Sequence, residues 1–149
     1  MTKKRNITTV EVRAILAEAG LRPSPQRVAV LTYVASHPIH PTAEEIHSAL
    51  VDEYPTLSKT TVYNILHLFA ETGIIEELQF DATQAHFDYA PVPHAHFQCR
   101  HCGCIIDIEQ MLPEPATTEG MHIANVMLCY KGLCEKCYKE QCAELSKEN

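Results

Sequence analysis

Residues 58–80 read SKTTVYNILHLFAETGIIEELQF, and the hydrophobic period changes in the middle of them. Ser58 is a helix-capping type, and Val62, Ile65, Leu66 and Phe69 recur on one helical face before Gly73 supplies a terminator able to take positive φ. The pattern then turns to two short strands, 74–80 and 85–89, around a turn at 81–83. Three helices are predicted upstream by the same logic. Val10, Val12, Ile15, Leu16 and Ala19 outline the first, ended by Gly20. Ser24 followed by Pro25 opens the second through Val28, Val30, Leu31 and Val34. Thr42 with Glu45 three residues on forms a capping box for the third, through Ile46, Ala49 and Leu50. Helices followed by a β-hairpin is the order of a winged helix-turn-helix module, whose fourth helix would enter a DNA major groove.

The polar face of that fourth helix offers Ser58, Lys59, Thr60, Tyr63, Asn64 and His67. Asn pairs bidentately with adenine, Tyr and Thr meet a thymine methyl or a phosphate, and Lys neutralises phosphate. A solvated helix face has the same composition, so these residues alone leave DNA binding open. The whole chain of 149 residues carries a formal charge of −7, which argues against nucleic acid. Its distribution argues otherwise: residues 1–67 stand at +1 and the remainder at −8. The longest apolar runs, such as 28–34, are far shorter than the roughly 20 residues of a membrane span. Lys3, Lys4 and Arg5 precede an amphipathic stretch rather than an apolar leader, so a cytoplasmic protein is expected.

All seven cysteines (Cys99, Cys102, Cys104, Cys129, Cys134, Cys137 and Cys142) lie after residue 98. The expected organisation is a DNA-binding domain at 1–84, a hinge at 85–93 and a second domain at 94–149. The second domain reads as a hairpin of strands 95–98 and 104–109 about a turn at 99–103, a loop at 112–120, a strand at 123–130 and a helix at 135–145. Cys99 with Cys102 and Cys134 with Cys137 are two CxxC pairs, each beside a glycine, Gly103 or Gly132. In a compartment that keeps thiols reduced, two such turns suit a closed tetrahedral zinc site better than two independent redox motifs. That leaves Cys104, Cys129 and Cys142 as thiols without a role.

A second constellation has nitrogen and oxygen donors. His94 and His96 share one strand face, opposite in parity to Cys99. Asp107 interrupts the apolar run Ile105, Ile106, Ile108, and Asp88 sits likewise between Phe87 and Tyr89. Either acid alone suits a hydrogen-bonded edge carboxylate. Together with the histidines they suit Fe²⁺, Mn²⁺ or Zn²⁺. His40 before Pro41 is a lone further candidate, and His86 shares the parity of Asp88.

Five stretches resemble the ferric uptake regulator family in order and spacing: 22–27 (RPSPQR), 40–46 (HPTAEEI), 58–69 (SKTTVYNILHLF), 94–107 (HAHFQCRHCGCIID) and 132–137 (GLCEKC). The resemblance implies an α+β chain: an N-terminal winged helix followed by a small α/β dimerisation domain with a four-cysteine zinc site. By position it implies Cys99, Cys102, Cys134 and Cys137 as structural zinc ligands. It implies His40, Asp88, His94, His96 and Asp107 as regulatory ligands for Fe²⁺ or Mn²⁺. Tyr63 and Asn64 match positions that contact operator DNA, an inverted repeat bound by a homodimer, and Ser58, Lys59 and Thr60 on the polar face of the same helix are expected to face it as well. Members that sense peroxide tend to carry Asp at the position of Asp107 and Asn at that of Asn64, and Ala95 and Asn125 stand where a second site in iron sensors has Asp and His. The expectation is therefore a metal-dependent repressor that senses peroxide by oxidation of His40 or His94, without membrane or other small-molecule partners. An iron- or zinc-uptake repressor is the alternative within the family. A non-haem iron enzyme uses similar ligands, but in a β-barrel for which this chain has too few strands, so no enzyme is expected.

Overall fold

Thr8, Ser24, Thr42 and Ser58 each accept a hydrogen bond from the backbone N–H three residues on, and each opens a helix. Those helices are α1 (Thr9–Glu18), α2 (Pro25–Ser36), α3 (Ala43–Leu50) and α4 (Lys59–Glu71). The computed structural model describes residues 6–80, 83–115 and 118–145. Residues 81 and 82 of the expected turn, like the basic residues 3–5, lie outside the described residues. Thr8 and Glu11 form a capping box that the sequence reading passed over. The Thr8 backbone N–H holds the Glu11 carboxyl below its ordinary value of 4.5. That capping contribution is in place above the ordinary value and is lost as the pH falls through the lowered one.

The chain divides into two compact units, Met1–Pro91 and Val92–Asn149. In the first, Leu16, Leu31, Ile46, Leu66 and Phe69 are fully buried, one apolar stripe from each of the four helices. Each such side chain contributes about 1.5–3 kcal/mol on burial. Strand β1 (Glu76–Leu78) pairs antiparallel with β2 (His86–Asp88), and Phe87 of β2 is buried in the same core. Pairing with β1 puts β2 inside this unit, although the sequence reading placed 85–93 in a hinge. Thr42 adds an isolated bridge to His86, and the Phe87 N–H donates to the Pro41 carbonyl at 3.0 Å. The segment that caps α3 therefore also borders the hairpin.

The second unit is a three-stranded sheet in the order β4-β3-β5, followed by α5 (Glu135–Leu145). Central β3 (Ala95–Cys99) pairs antiparallel with β4 (Ile105–Ile108) and parallel with β5 (Cys129–Gly132). The strand expected at 123–130 is thus a correction: β5 begins at Cys129, where parallel pairing with His96 starts. Ile123, Val126 and Met127 are exposed, so their apolar pattern has no sheet face beneath it.

Thr42 is buried, and its hydroxyl receives the Glu45 N–H while the Glu45 carboxylate receives the Thr42 N–H at 2.8 Å. Thr42→Ala is expected to lower unfolding stability by about 1 kcal/mol, the usual worth of an N-cap side chain. Denaturant unfolding followed by far-UV circular dichroism measures it.

Candidate metal centres and nucleic-acid face

The parallel register of β3 and β5 closes the long gap between the two CxxC pairs. Cys99 lies opposite Gly132, and the Arg100 N–H donates to the Gly132 carbonyl at 2.7 Å. Two residues beyond Gly132, the Cys134 N–H reaches the Cys99 sulfur at 3.3 Å. Gly132 packs against the Phe97 ring, where a Cβ would stand 3.4 Å from the nearest ring atom, a close contact but not an excluded one. On the other side the Cys99 N–H donates to the Cys104 carbonyl at 3.0 Å, and Gly103 reverses the chain at φ 75°.

The outcome is a nest of thiols. The sulfurs of Cys99, Cys102, Cys104 and Cys134 all lie within 4.8 Å of one another. Cys102 and Cys134 are 3.8 Å apart. A tetrahedron with metal–sulfur bonds of about 2.3 Å has an edge of about 3.8 Å, so the spacing suits zinc. Backbone N–H groups of Cys102 and then Cys134 bring the Cys99 thiol down to about 5. The Cys104 N–H and thiol lower Cys102. Burial, followed by the neighbouring thiols of Cys134, Cys102 and Cys99, pushes Cys137 up. Cys137 Sγ also stands 3.5 Å from His101 Nδ1. Burial, then Cys102 and Cys134, pushes Cys104 up to about 12. By sulfur spacing Cys104, which the sequence reading set aside, belongs to the nest, whereas Cys137, expected as the fourth zinc ligand, adjoins that group of four without being part of it. The signal for Cys104 was local: Cys-Gly-Cys, with the glycine free to turn residue 104 back beside residue 99. Cys142 is exposed, and Cys129 sits at the start of β5 with its thiol raised by burial.

On the opposite parity of β3, His96 stands directly across from Asp107 of β4. The His94 Nδ1–H donates to the Val92 carbonyl at 3.1 Å, which leaves its Nε2 facing Asp107 at 3.1 Å. His96 Nε2 lies 3.8 Å from the same carboxylate oxygen, and the two imidazoles are 4.5 Å apart. Two imidazoles and one carboxylate converge, with one ring oriented by a backbone acceptor, as metal-ligating histidines usually are.

In the first unit, extending the Thr42–His86 bridge by two residues sets His40 opposite Asp88. Both are buried, and a donor atom of one lies within 4.8 Å of a donor atom of the other. His40 has φ 53°, the one positive φ among described non-glycine residues. Pro41 disfavours the right-handed helical region for the residue before it, and holding histidine in the left-handed one costs on the order of 1–3 kcal/mol. The His86 Nδ1–H donates to the His40 carbonyl at 2.8 Å and so helps hold that backbone. His86, kept in the sequence reading as a further ligand, thus acts on His40 through its main chain.

On α4, Thr60, Tyr63 and Asn64 are exposed on one face. The Ser58 hydroxyl is engaged in capping, receiving the Thr61 N–H at 3.1 Å. Lys59 reaches Glu44 at 3.2 Å, and His67 reaches Glu77 at 3.3 Å. A groove beside α4 is lined by Arg22, Gln26, Arg27 and Thr61, residues that the sequence reading did not assign to DNA. Arg27 is aimed by a bond from its Nη1 to the Arg22 carbonyl at 3.0 Å.

A helical unit with a two-stranded wing, carried on one chain with a thiol nest and a two-histidine, one-carboxylate set, defines a DNA-binding metalloregulator. The class is matched by a particular family. The Ferric uptake regulator family model matches residues 18–130, and the chain belongs to that family. It is similar to the Peroxide operon regulator of Bacillus subtilis, 34% identical over 136 residues that cover 88% of this chain and 94% of that protein. The Peroxide-responsive repressor PerR of Staphylococcus aureus is 34% identical over 129 residues, 83% of this chain and 87% of that one. Among solved structures, the Helicobacter pylori ferric uptake regulator Fur, described as having three functional metal binding sites, shares the fold with a TM-score of 0.68. It is 21% identical, over 93% of this chain and 97% of that chain. The two curated relatives are named as a regulator and a repressor.

Among the described residues of the second unit, the buried apolar side chains are Ala95, Cys99 and Cys137. So small a core leaves its folding to the ion. Treating the protein with a chelator strong enough to strip a four-thiolate site is expected to melt this unit and spare the first. Amide hydrogen exchange resolved by peptide reads the two separately.

Proposed function

We propose that the chain is a homodimeric, metal-dependent transcriptional repressor that releases operator DNA in response to peroxide. The observation that carries this reading is a group of metal-donor side chains in each unit: buried His40 with Asp88 in the first, and His94, His96 and Asp107 in the second. In the proposal a single divalent ion draws on all five, and zinc in the thiol nest is structural. The donor chemistry supports both assignments, thiolates for zinc and mixed imidazole and carboxylate for Fe²⁺ or Mn²⁺. Ligation from both units restricts how the winged helices are presented. In a two-fold dimer their separation must match half-sites about 34 Å apart. Moving such an equilibrium from 1:99 to 99:1 takes about 5.5 kcal/mol of differential metal affinity, well within reach of a site with this many ligands.

Several exposed apolar side chains of the second unit support dimerisation there: Ile106, Met111, Met121, Ile123, Tyr130 and Tyr138. A second copy of this surface would cover them. No helix among the described residues is long and apolar enough to cross a membrane, and the proposed setting is the cytoplasm. The peroxide signal is supported by the named relatives and by Asp107, rather than Glu, in the ligand set. An Fe²⁺ held by these donors would supply an electron to hydrogen peroxide, whereas Mn²⁺ would take the same ligands without that reaction. His40 and His94 are the imidazoles assigned to receive the oxygen, and an oxidised imidazole no longer ligates.

His40→Ala is expected to abolish metal-dependent operator binding while tightly held zinc stays near one per subunit; gel shift and metal analysis measure the two. Normal repression by this variant would remove His40 from the site. Peroxide treatment of the Fe²⁺ form is expected to add about 16 Da, one oxygen atom, to a peptide containing His40 or His94, and the Mn²⁺ form stays unmodified. Release of DNA with only thiols oxidised would overturn the histidine assignment. Asn64→Ala is expected to weaken operator binding by about 1–3 kcal/mol and relax base preference at one position, as fluorescence anisotropy on operator variants would record.

A further inference from the structure

The nest of Cys99, Cys102, Cys104 and Cys134 already supplies the four sulfurs that zinc takes, and a fifth, Cys137, adjoins it. Cys99, Cys102 and Cys134 form a fixed trio, tied by the Cys134 N–H to Cys99 sulfur bond and by the 3.8 Å spacing of Cys102 and Cys134. Cys104 approaches the trio from the start of β4, its position set by the turn at Gly103 and the Cys99–Cys104 backbone bond. Cys137 approaches from the first turn of α5, beside His101. The Cys104 sulfur lies within 4.8 Å of all three, the Cys137 thiol has the same three as neighbours, and zinc closes its shell at four.

We propose that Cys104 is an alternative fourth ligand that exchanges with Cys137 around the trio. The proposal rests on the zinc reading of the nest. In the exchange one zinc–sulfur bond forms and one breaks; the Cys104 thiol gives up its proton on binding and the released Cys137 thiolate takes one up. Four thiolates and one Zn²⁺ are present before and after, so charge is conserved. A centre built this way keeps a complete sulfur shell when either thiol is alkylated or oxidised.

Cobalt(II) in place of zinc provides the test, because its thiolate charge-transfer absorption scales with the number of bound sulfurs. Wild-type protein is expected to show the four-thiolate spectrum, and its absence would sink the zinc reading itself. C104S and C137S are each expected to keep wild-type intensity. The double variant should fall to about three-quarters of that, one thiolate of four being lost, and release its ion to a chelator faster. If either single variant falls as far as the double, the exchange is refuted. A second measurement needs no variant. In zinc-loaded wild type, N-ethylmaleimide should label Cys104 and Cys137 more slowly than exposed Cys142, and chelation should release both. Labelling of Cys104 at the Cys142 rate in the zinc-loaded protein would overturn the proposal.

Discussion

The parallel pairing of β3 with β5 is the constraint on which the second unit depends. It sets Cys99 opposite Gly132 and so delivers Cys134 to within reach of the Cys99 sulfur across a long stretch of chain. A parallel pair cannot be closed by a tight turn, and most of the intervening residues here form no regular element that packs. With little apolar burial to offset the entropy of ordering that stretch, the thiol nest and its ion take the place of a core. The same strand carries the other set of donors. Alternation along β3 sends Cys99 to one face and His96 to the other, so one strand separates a soft, sulfur-rich site from a harder nitrogen and oxygen site.

The first unit is stabilised differently. Its helices contribute a continuous apolar core, and the wing is anchored to it by Phe87. Among the described residues the one positive φ outside glycine falls on a residue that would bind metal, His40, and the His86 hydrogen bond to its carbonyl helps hold that backbone. A strained residue persists only where its surroundings over-determine it, and the well-packed core supplies that stability. The wing thereby does two jobs: β2 supplies Asp88, and its pairing with the 40–42 segment sets His40 opposite it.

Much of this was legible in residues 58–80 and their neighbours because helix caps act over three residues. Ser24, Thr42 and Ser58 announce their helices by local chemistry, and Thr8 with Glu11 carries the same signature. Features that depend on distant pairing were not legible. The apolar run 123–130 reads as a strand, yet only residues from Cys129 onward meet β3. The bridge from Thr42 to His86, and with it the pairing of His40 and Asp88, links residues 44 apart in sequence. Cys104 looked idle because its role emerges when Gly103 folds it back onto a register set by β5. Ligand types were readable from composition and spacing; which sulfurs share one nest required the sheet.

The central claim is a coupling between an ion held by the histidine and aspartate donors and the DNA held by α4. Coupling of two binding events is reciprocal, so the factor by which metal tightens DNA must equal the factor by which DNA tightens metal. The direct measurement is the Mn²⁺ affinity of the zinc-loaded protein, alone and saturated with a DNA fragment selected by its Mn²⁺-dependent binding. The account predicts tighter Mn²⁺ binding on DNA, by the same factor that Mn²⁺ raises DNA affinity. Equal Mn²⁺ affinity with and without DNA would contradict it.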